Sequence, residues 1–415
     1  METPYDFKHL RDGGSLMKRI GTAFGGALAL VLIPALLLPL GCAKKVDEIV
    51  VGEYGSLTGG TATFGISTKN GIELYIDNLN GTGGIGGTKV RVIVEDDQSR
   101  PEEAATAVSK LIDQDGVIAV LGEVASSRSM AAGPACQQAG VPMISPSSTN
   151  PKVTEIGDHI FRVCYIDPFQ GMVIAKFAKS TLGFTRAAIL RDNKNDYSVG
   201  LANYFAEAYK ALGGTIVSDE AYAEGDQDFK AQLTVLRAKK PQFIMVPGYY
   251  TEVGLIARQA RELGIDVPLL GGDGWVSERL LEIAQDALNG SYFVNHYWEK
   301  DTNPAIQKFV NEFRARYKTT PDGLAALGYD AAGVLTNALK RLREEDPKAF
   351  AALKEPRGAA QTSARKKLRD LIAATKDFPG VTGRITLDAA RNAVKPAVFL
   401  GIKNRQYEFV AAVEP

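Results

Sequence analysis

Histidine and cysteine are scarce, three of each in 415 residues. Beyond residue 45 only Cys136, Cys164, His159 and His296 remain. None has a metal-ligand spacing, which excludes the usual zinc motifs, and both histidines read as structural. The cysteines leave one disulfide or two buried thiols open; both lie in apolar stretches, which favours thiols. An excess of either charge is also missing. Lys+Arg and Asp+Glu each total 48, for a net charge of 0, so nothing electrostatic points to nucleic acid. No Walker motif, nucleophile elbow or zinc motif occurs, so neither catalysis nor a cofactor is expected. Gly81–Gly86 spells G-x-G-x-x-G, but it follows a helical stretch and precedes a strand, the reverse of a dinucleotide site.

Long apolar runs are absent except at the start. Met17-Lys18-Arg19 is basic, Ile20 to Leu40 is uncharged, and Gly41-Cys42 precedes the polar Ala43-Lys44-Lys45. This order reads as a signal peptide whose cleavage leaves Cys42 first and lipidated. Residues 1–41 are then a leader and lipoprotein signal with the true start at Met17, and the chain is periplasmic or cell-surface, anchored to a bacterial membrane. Pro39 and Leu40 depart from the usual lipoprotein pattern. The alternative is an uncleaved anchor, against which Pro34 and Pro39 count. The stretch Lys340–Arg369, rich in Lys, Arg and Glu, reads as a solvated helical surface.

From residue 48, short apolar runs alternate with amphipathic stretches. Strands are expected at Ile49–Gly52, Val90–Val94, Val117–Leu121 and Pro142–Ile144, and helices at Phe64–Leu79, Pro101–Ile112 and Ser129–Ala139. Strict alternation means a parallel sheet covered by helices. The second half repeats the unit. Gly86-Gly87-Thr88 opens a segment reaching Gly122, and Gly213-Gly214-Thr215 opens one reaching Gly248. A helix ending in Gly140 or Gly264 follows, then a strand entered through Val141-Pro142 or Val267-Pro268. Phe64 precedes Leu79 by the same interval (79 − 64 = 15) as Tyr197 precedes Leu212 (212 − 197 = 15).

In open parallel sheets, ligands bind beyond the carboxyl ends of the strands. The matching loops are Glu123–Ser127 with Tyr249-Tyr250, Pro146–Thr149 with Gly272–Gly274, and Phe64 with Tyr197. One set is rich in hydroxyls and helix-start amides, which suit an anion. The other holds a lone carboxylate, Asp273, which suits a cation, and Phe64, Tyr197 and Tyr249 supply apolar walls. Together these describe an α-amino acid zwitterion. Each residue also has a plainer reading. Asp273 sits in Gly-Asp-Gly, good turn chemistry; Pro146–Asn150 serves equally as a helix cap; Tyr250 serves as packing; and Trp275 either lines the cleft mouth or caps the sheet.

At these residues the chain resembles the leucine/isoleucine/valine-binding receptors of branched-chain amino acid ABC transporters. The likeness runs through Gly81-Thr82-Gly83-Gly84-Ile85, Glu95-Asp96-Asp97, Val141-Pro142-Met143-Ile144-Ser145-Pro146 and Gly248-Tyr249. It implies an α/β type I periplasmic-binding-protein fold, with two doubly wound parallel-sheet lobes joined by a three-crossover hinge. The lobes would be 42–165 plus 297–395, and 166–296 plus 396–415, hinged near Tyr165–Pro168, Asn295–Trp298 and Lys395. It also implies that Ser126 and Thr149 hold the ligand carboxylate. The Ser147 carbonyl, the Asp273 carboxylate and Thr149 take the ammonium, and Phe64, Val124, Ala125, Ser148, Tyr197, Tyr249 and Leu324 surround the side chain. The partners would be an amino acid, a permease and an ATPase, with the receptor monomeric. Asp273 and Phe64 depart from the family, whose best-known members carry Glu and Tyr there; Ser147 and Ser148 replace an Ala pair. A receptor for a short amide, a urea derivative or an aromatic acid, and a ligand-sensing signalling lipoprotein, are the alternatives.

Overall fold

The computed structural model describes residues 47–415; Cys42 and the signal run lie outside them. Five parallel strands, β1 (Glu48–Gly55), β2 (Lys89–Asp96), β3 (Val120–Leu121), β4 (Met143–Ser145) and β5 (Ile160–Arg162), form a sheet in the order β2-β1-β3-β4-β5. Between them run α1 (Ala62–Gly81), α2 (Pro101–Asp113) and α3 (Ser126–Ala139). α2 has Pro101 at its first position, Glu102 and Glu103 in its first turn and Lys110 in its last, all matched to the helix dipole. α3 stops where Gly140 turns left-handed at φ 63, a conformation that costs glycine little. It begins at Ser126, three residues ahead of the expected Ser129. The expected strand Val117–Leu121 shortens to β3, although the Ile118 N–H still donates to Val50 O at 2.9 Å.

The second sheet repeats the first. β6 (Arg186–Asp192), β7 (Thr215–Tyr222), β8 (Phe243–Met245), β9 (Leu269–Gly271) and β10 (Tyr292–Asn295) run in the order β7-β6-β8-β9-β10. The doubled spacing in the sequence is therefore a doubled sheet, two doubly wound lobes in one chain. A hairpin, Ala397–Lys403 with Gln406–Val413, extends the second sheet antiparallel to β10. The chain crosses between the lobes three times: after β5, after β10, and between Val394, the last residue of a small three-stranded sheet, and Ala397. After the second crossing, the helix Gly323–Glu345 packs on α1. A Cβ on Gly71 would lie 1.9 Å from Ala325 O, and one on Gly328 2.4 Å from Thr68 O, so the two helices meet through glycine.

Apart from the edge strands β2 and β7, the parallel strands are buried on both faces, as in helix-covered parallel sheets. Neighbouring residues split between two cores: Leu121 and Ile144 face one, Val120 and Met143 the other. Cys136 and Cys164 are both buried and free, which settles them as thiols; burial pushes the Cys164 thiol up to about 12.

One buried group is out of place in this frame. Glu53 on β1 is 2% exposed and its Oε2 has no partner. Burial, reinforced by the charge of Glu73, raises it to about 8. A carboxyl raised above its unfolded value of 4.5 contributes stability below that value and loses it as pH rises through the folded one. Glu53→Gln is therefore expected to raise the melting temperature at pH 8–9 and to change it little at pH 5. A tenfold change in proton affinity corresponds to about 1.4 kcal/mol, and melts at the two pH values check the expectation.

Candidate functional site: a closed cavity between the lobes

The carboxyl ends of β3 and β4 face those of β8 and β9, and a small, tightly closed cavity lies between them. Phe64, Val124, Ser147 and Leu324 border it from the first lobe, and Tyr197, Tyr249, Asp273 and Gly274 from the second. Tyr197 and Tyr249 stack at 5.4 Å and 10°, and Phe64 meets Tyr249 edge-on at 5.3 Å. The apolar core of the second lobe thus continues through these rings to Phe64, Val124, Ala125 and Leu324.

Asp273 follows β9 between two glycines that the walls require. A Cβ on Gly272 would stand 2.5 Å from Tyr197 Oη, and one on Gly274 2.7 Å from Gly248 O. The Asp273 N–H donates to Gln170 Oε1 at 2.8 Å, and the Gly274 N–H to Tyr197 Oη at 3.0 Å. The carboxylate Oδ2 lies 2.8 Å from His296 Nε2. Its Oδ1 is buried with no partner. A buried acceptor normally has a donor, so this oxygen, in a cavity with aromatic walls, is open to a hydrogen-bond donor from a molecule held there.

The opposing loops are held from behind. Arg162 is fully buried; its Nη1 donates to Ser148 O and its Nη2 to Asn150 O at 2.8 Å. The Asn150 N–H donates to Ser126 Oγ at 3.2 Å, tying the start of α3 to the loop after β4. Thr149 Oγ1 is buried and unpartnered. Ala125, Ser126, Ser148 and Thr149 do not border the cavity. Ser148 Oγ is engaged by the carbonyls of Glu123 and Val124, each at 3.0 Å, so its hydroxyl is turned from a side-chain pocket. Trp275 is fully buried, its indole N–H donating to Val246 O at 2.9 Å; it packs the core rather than the cleft mouth. Tyr250 packs on Phe64 at 5.1 Å.

The lobes are closed on each other. Ser127 Oγ donates to Asp196 Oδ2 at 2.9 Å, Thr251 Oγ1 donates to Gly60 O at 2.8 Å, and Thr63 Oγ1 lies 3.0 Å from Ser277 Oγ. Arg128 of α3 reaches to 3.8 Å from Glu224 of the second lobe. A larger open groove of about 260 Å³ runs beside this seam. Its Arg279 and Glu282 pair with each other at the surface, so it lacks the unpaired buried charge that distinguishes the closed cavity.

Sequence reasoning missed His296, Gln170, Arg162 and Arg128. His296 lies 23 residues from Asp273 and Gln170 lies 103, so no helical or strand period relates either to it. The matching loops were the only available signal, and these four residues lie outside them.

A family model described as "Periplasmic binding protein" matches residues 48–405. The leucine-, isoleucine-, valine-, threonine- and alanine-binding protein of Pseudomonas aeruginosa is 31% identical over 312 residues, 74% of this chain and 82% of that one. The leucine-binding protein LivK of Thermotoga maritima superposes with a TM-score of 0.80 at 37% identity, covering 88% of this chain and 99% of that one. The branched-chain amino acid transporter substrate-binding protein LivJ of Streptococcus pneumoniae, solved with isoleucine, gives 0.80 at 34%, covering 89% and 100%. With two like sheets, three crossings and a closed inter-lobe cavity, the chain belongs to the periplasmic binding protein family and has its type I fold.

Proposed function

We propose that the protein is the extracytoplasmic solute receptor of an ABC importer and that it closes around one α-amino acid with a branched aliphatic side chain. The observation that carries this reading is the unpaired Asp273 Oδ1 at the edge of a small cavity walled by Phe64, Tyr197 and Tyr249. The names of the relatives above point the same way. Asp273 and the Ser147 carbonyl take the ammonium, with Thr149 shared between the ligand's two charges. Ser126 and Thr149, which do not border the cavity in this closed form, take the carboxylate in this reading together with the amides that open α3. Phe64, Val124, Tyr197, Tyr249 and Leu324 enclose the side chain, backed by Ala125 and Ser148.

In this reading the lobes, 42–165 plus 297–395 and 166–296 plus 396–415, move about Tyr165–Pro168, Asn295–Trp298 and Lys395. Ligand docks on the Ser/Thr loops and closure brings Asp273 and Tyr249 onto it. Cys42 carries the lipid, the anchored receptor works as a monomer, and a permease with its ATPase receives the ligand. Among the described residues no helix is long and apolar enough to cross a membrane.

A thermal-shift screen over the twenty amino acids and small amides tests the proposal. Leucine, isoleucine and valine are each expected to raise the melting temperature. A ligand at ~1,000 times its Kd adds about 4 kcal/mol. No shift with any amino acid would overturn the reading, and a shift only with amides or aromatic acids would replace it.

A further inference from the structure

His296 stands where the three crossings meet. It follows β10 at the second crossing, and its N–H donates to Asn295 Oδ1 at 2.7 Å. Its ring stacks on Tyr165 of the first crossing, centroids 3.7 Å apart and planes at 22°. Lys395 of the third crossing and Asp273 are the charged groups that face it; Asp167, on the helix after Tyr165, faces Asp273 in turn. A carboxylate only accepts hydrogen bonds, so the nitrogen 2.8 Å from Asp273 Oδ2, Nε2, carries the proton. Nδ1 is left without a partner. Burial holds the imidazole below its ordinary value, against the pull of Asp273, so the neutral ring is the form that donates. The pair then carries one negative charge, on Asp273, with one oxygen tied and the other turned to the cavity.

A carboxylate on a single methylene turns about a broad, roughly two-fold torsion. A ring clamped by stacking and donating to one oxygen removes that freedom. We propose that His296 is the positioning residue for Asp273 and that this pair sets the receptor's preference for an amino acid over the same acid without its ammonium. A protonated His296 would neutralise the pair, so the ring's second proton and the ligand ammonium exclude each other. The inference deepens the amino-acid-receptor reading and rests on it.

Competition calorimetry with leucine and with 4-methylpentanoate, on wild type, His296→Leu and His296→Gln, tests it. His296→Leu is expected to weaken leucine about tenfold to a hundredfold, the effect of one hydrogen bond to a charged group. It should leave 4-methylpentanoate nearly unchanged. His296→Gln, which offers an amide N–H in place of Nε2–H, should recover most of the leucine affinity. Equal weakening of both ligands, or unchanged leucine affinity in His296→Leu, overturns the assignment. Should His296→Leu fold poorly, ¹⁵N NMR of the wild-type imidazole decides: the Nε2–H tautomer, perturbed by Asp273→Asn, is expected, and the Nδ1–H tautomer overturns it. Failure of the wild type to bind any amino acid removes the receptor reading itself. A wrong pattern confined to the variants removes only His296.

Discussion

Asp273→Ala is expected to cost at least about a hundredfold in affinity for leucine or valine while leaving the fold intact. In the proposed complex the closed cavity would hold the ligand ammonium away from water, so removing its counter-charge would strand a buried cation. Breaking a buried pair from one side costs about 3–5 kcal/mol, and 1.4 kcal/mol is about tenfold in binding. The protein without ligand should change less, because the alanine variant loses the hydrogen bond from His296 Nε2 but also no longer buries a carboxylate oxygen that lacks a donor. Calorimetry beside a thermal melt separates the two effects. Binding as tight as the parent's would remove Asp273 from the cation site.

Arg128→Met is the second large effect, and it falls on stability. Arg128 is 2% exposed. Its Nε lies 3.1 Å from Glu123 Oε1 and 4.0 Å from Asp97 Oδ2, and its Nη2 donates to Thr61 Oγ1 at 2.8 Å. Two buried carboxylates therefore share one cation, with Glu224 approaching from the other lobe. Burial, then the charge of Glu123, already raises Asp97 to about 8 despite Arg128. Without the guanidinium the acids face each other alone, and a loss of about 3–5 kcal/mol is expected near neutrality.

The pH dependence has the same origin. A carboxyl raised in the folded state gives stability that is full below its unfolded value, 3.8 for Asp97, and fades as pH rises toward the folded one. Removing Arg128 raises the folded value further, so the two proteins lose stability in parallel up to about pH 8 and the deficit of Arg128→Met should widen from pH 7 to pH 9. Burial also raises Glu224 to about 7. Because Arg128 reaches this acid across the seam, the variant should also close less readily and bind ligand more weakly. Parallel melts at the two pH values test the first statement, and a deficit that narrows toward pH 9 would contradict it.

Much of the site was legible because the chain carries its unit twice. Phe64 and Tyr197, Tyr249 beside Val124, and Asp273 opposite Ser147 could be paired by repeat position alone, and all border one cavity. Helix boundaries followed local chemistry, as at Pro101 and Gly140, where backbone preference and the dipole act within one turn. The direction of individual side chains was less legible. Ser148 shares a hydroxyl-rich loop with Ser147, yet its Oγ is drawn back to the carbonyls of Glu123 and Val124. Trp275, two residues from Asp273, turns into the core to reach Val246 O.

The order of residues alone dictates the alternating strands and helices, the doubling of the sheet and the loops that meet at the inter-lobe cavity. These follow from periodicity and turn chemistry within a few residues. Which buried charges are paired emerges only once the chain is folded. His296 meets Asp273, Arg162 holds the loop after β4, and Arg128 joins Glu123, Asp97 and Glu224. Each contact links residues from different elements or different lobes. The free energy of such a group depends on what burial removes and what a distant partner restores, and neither quantity is written in the neighbouring residues.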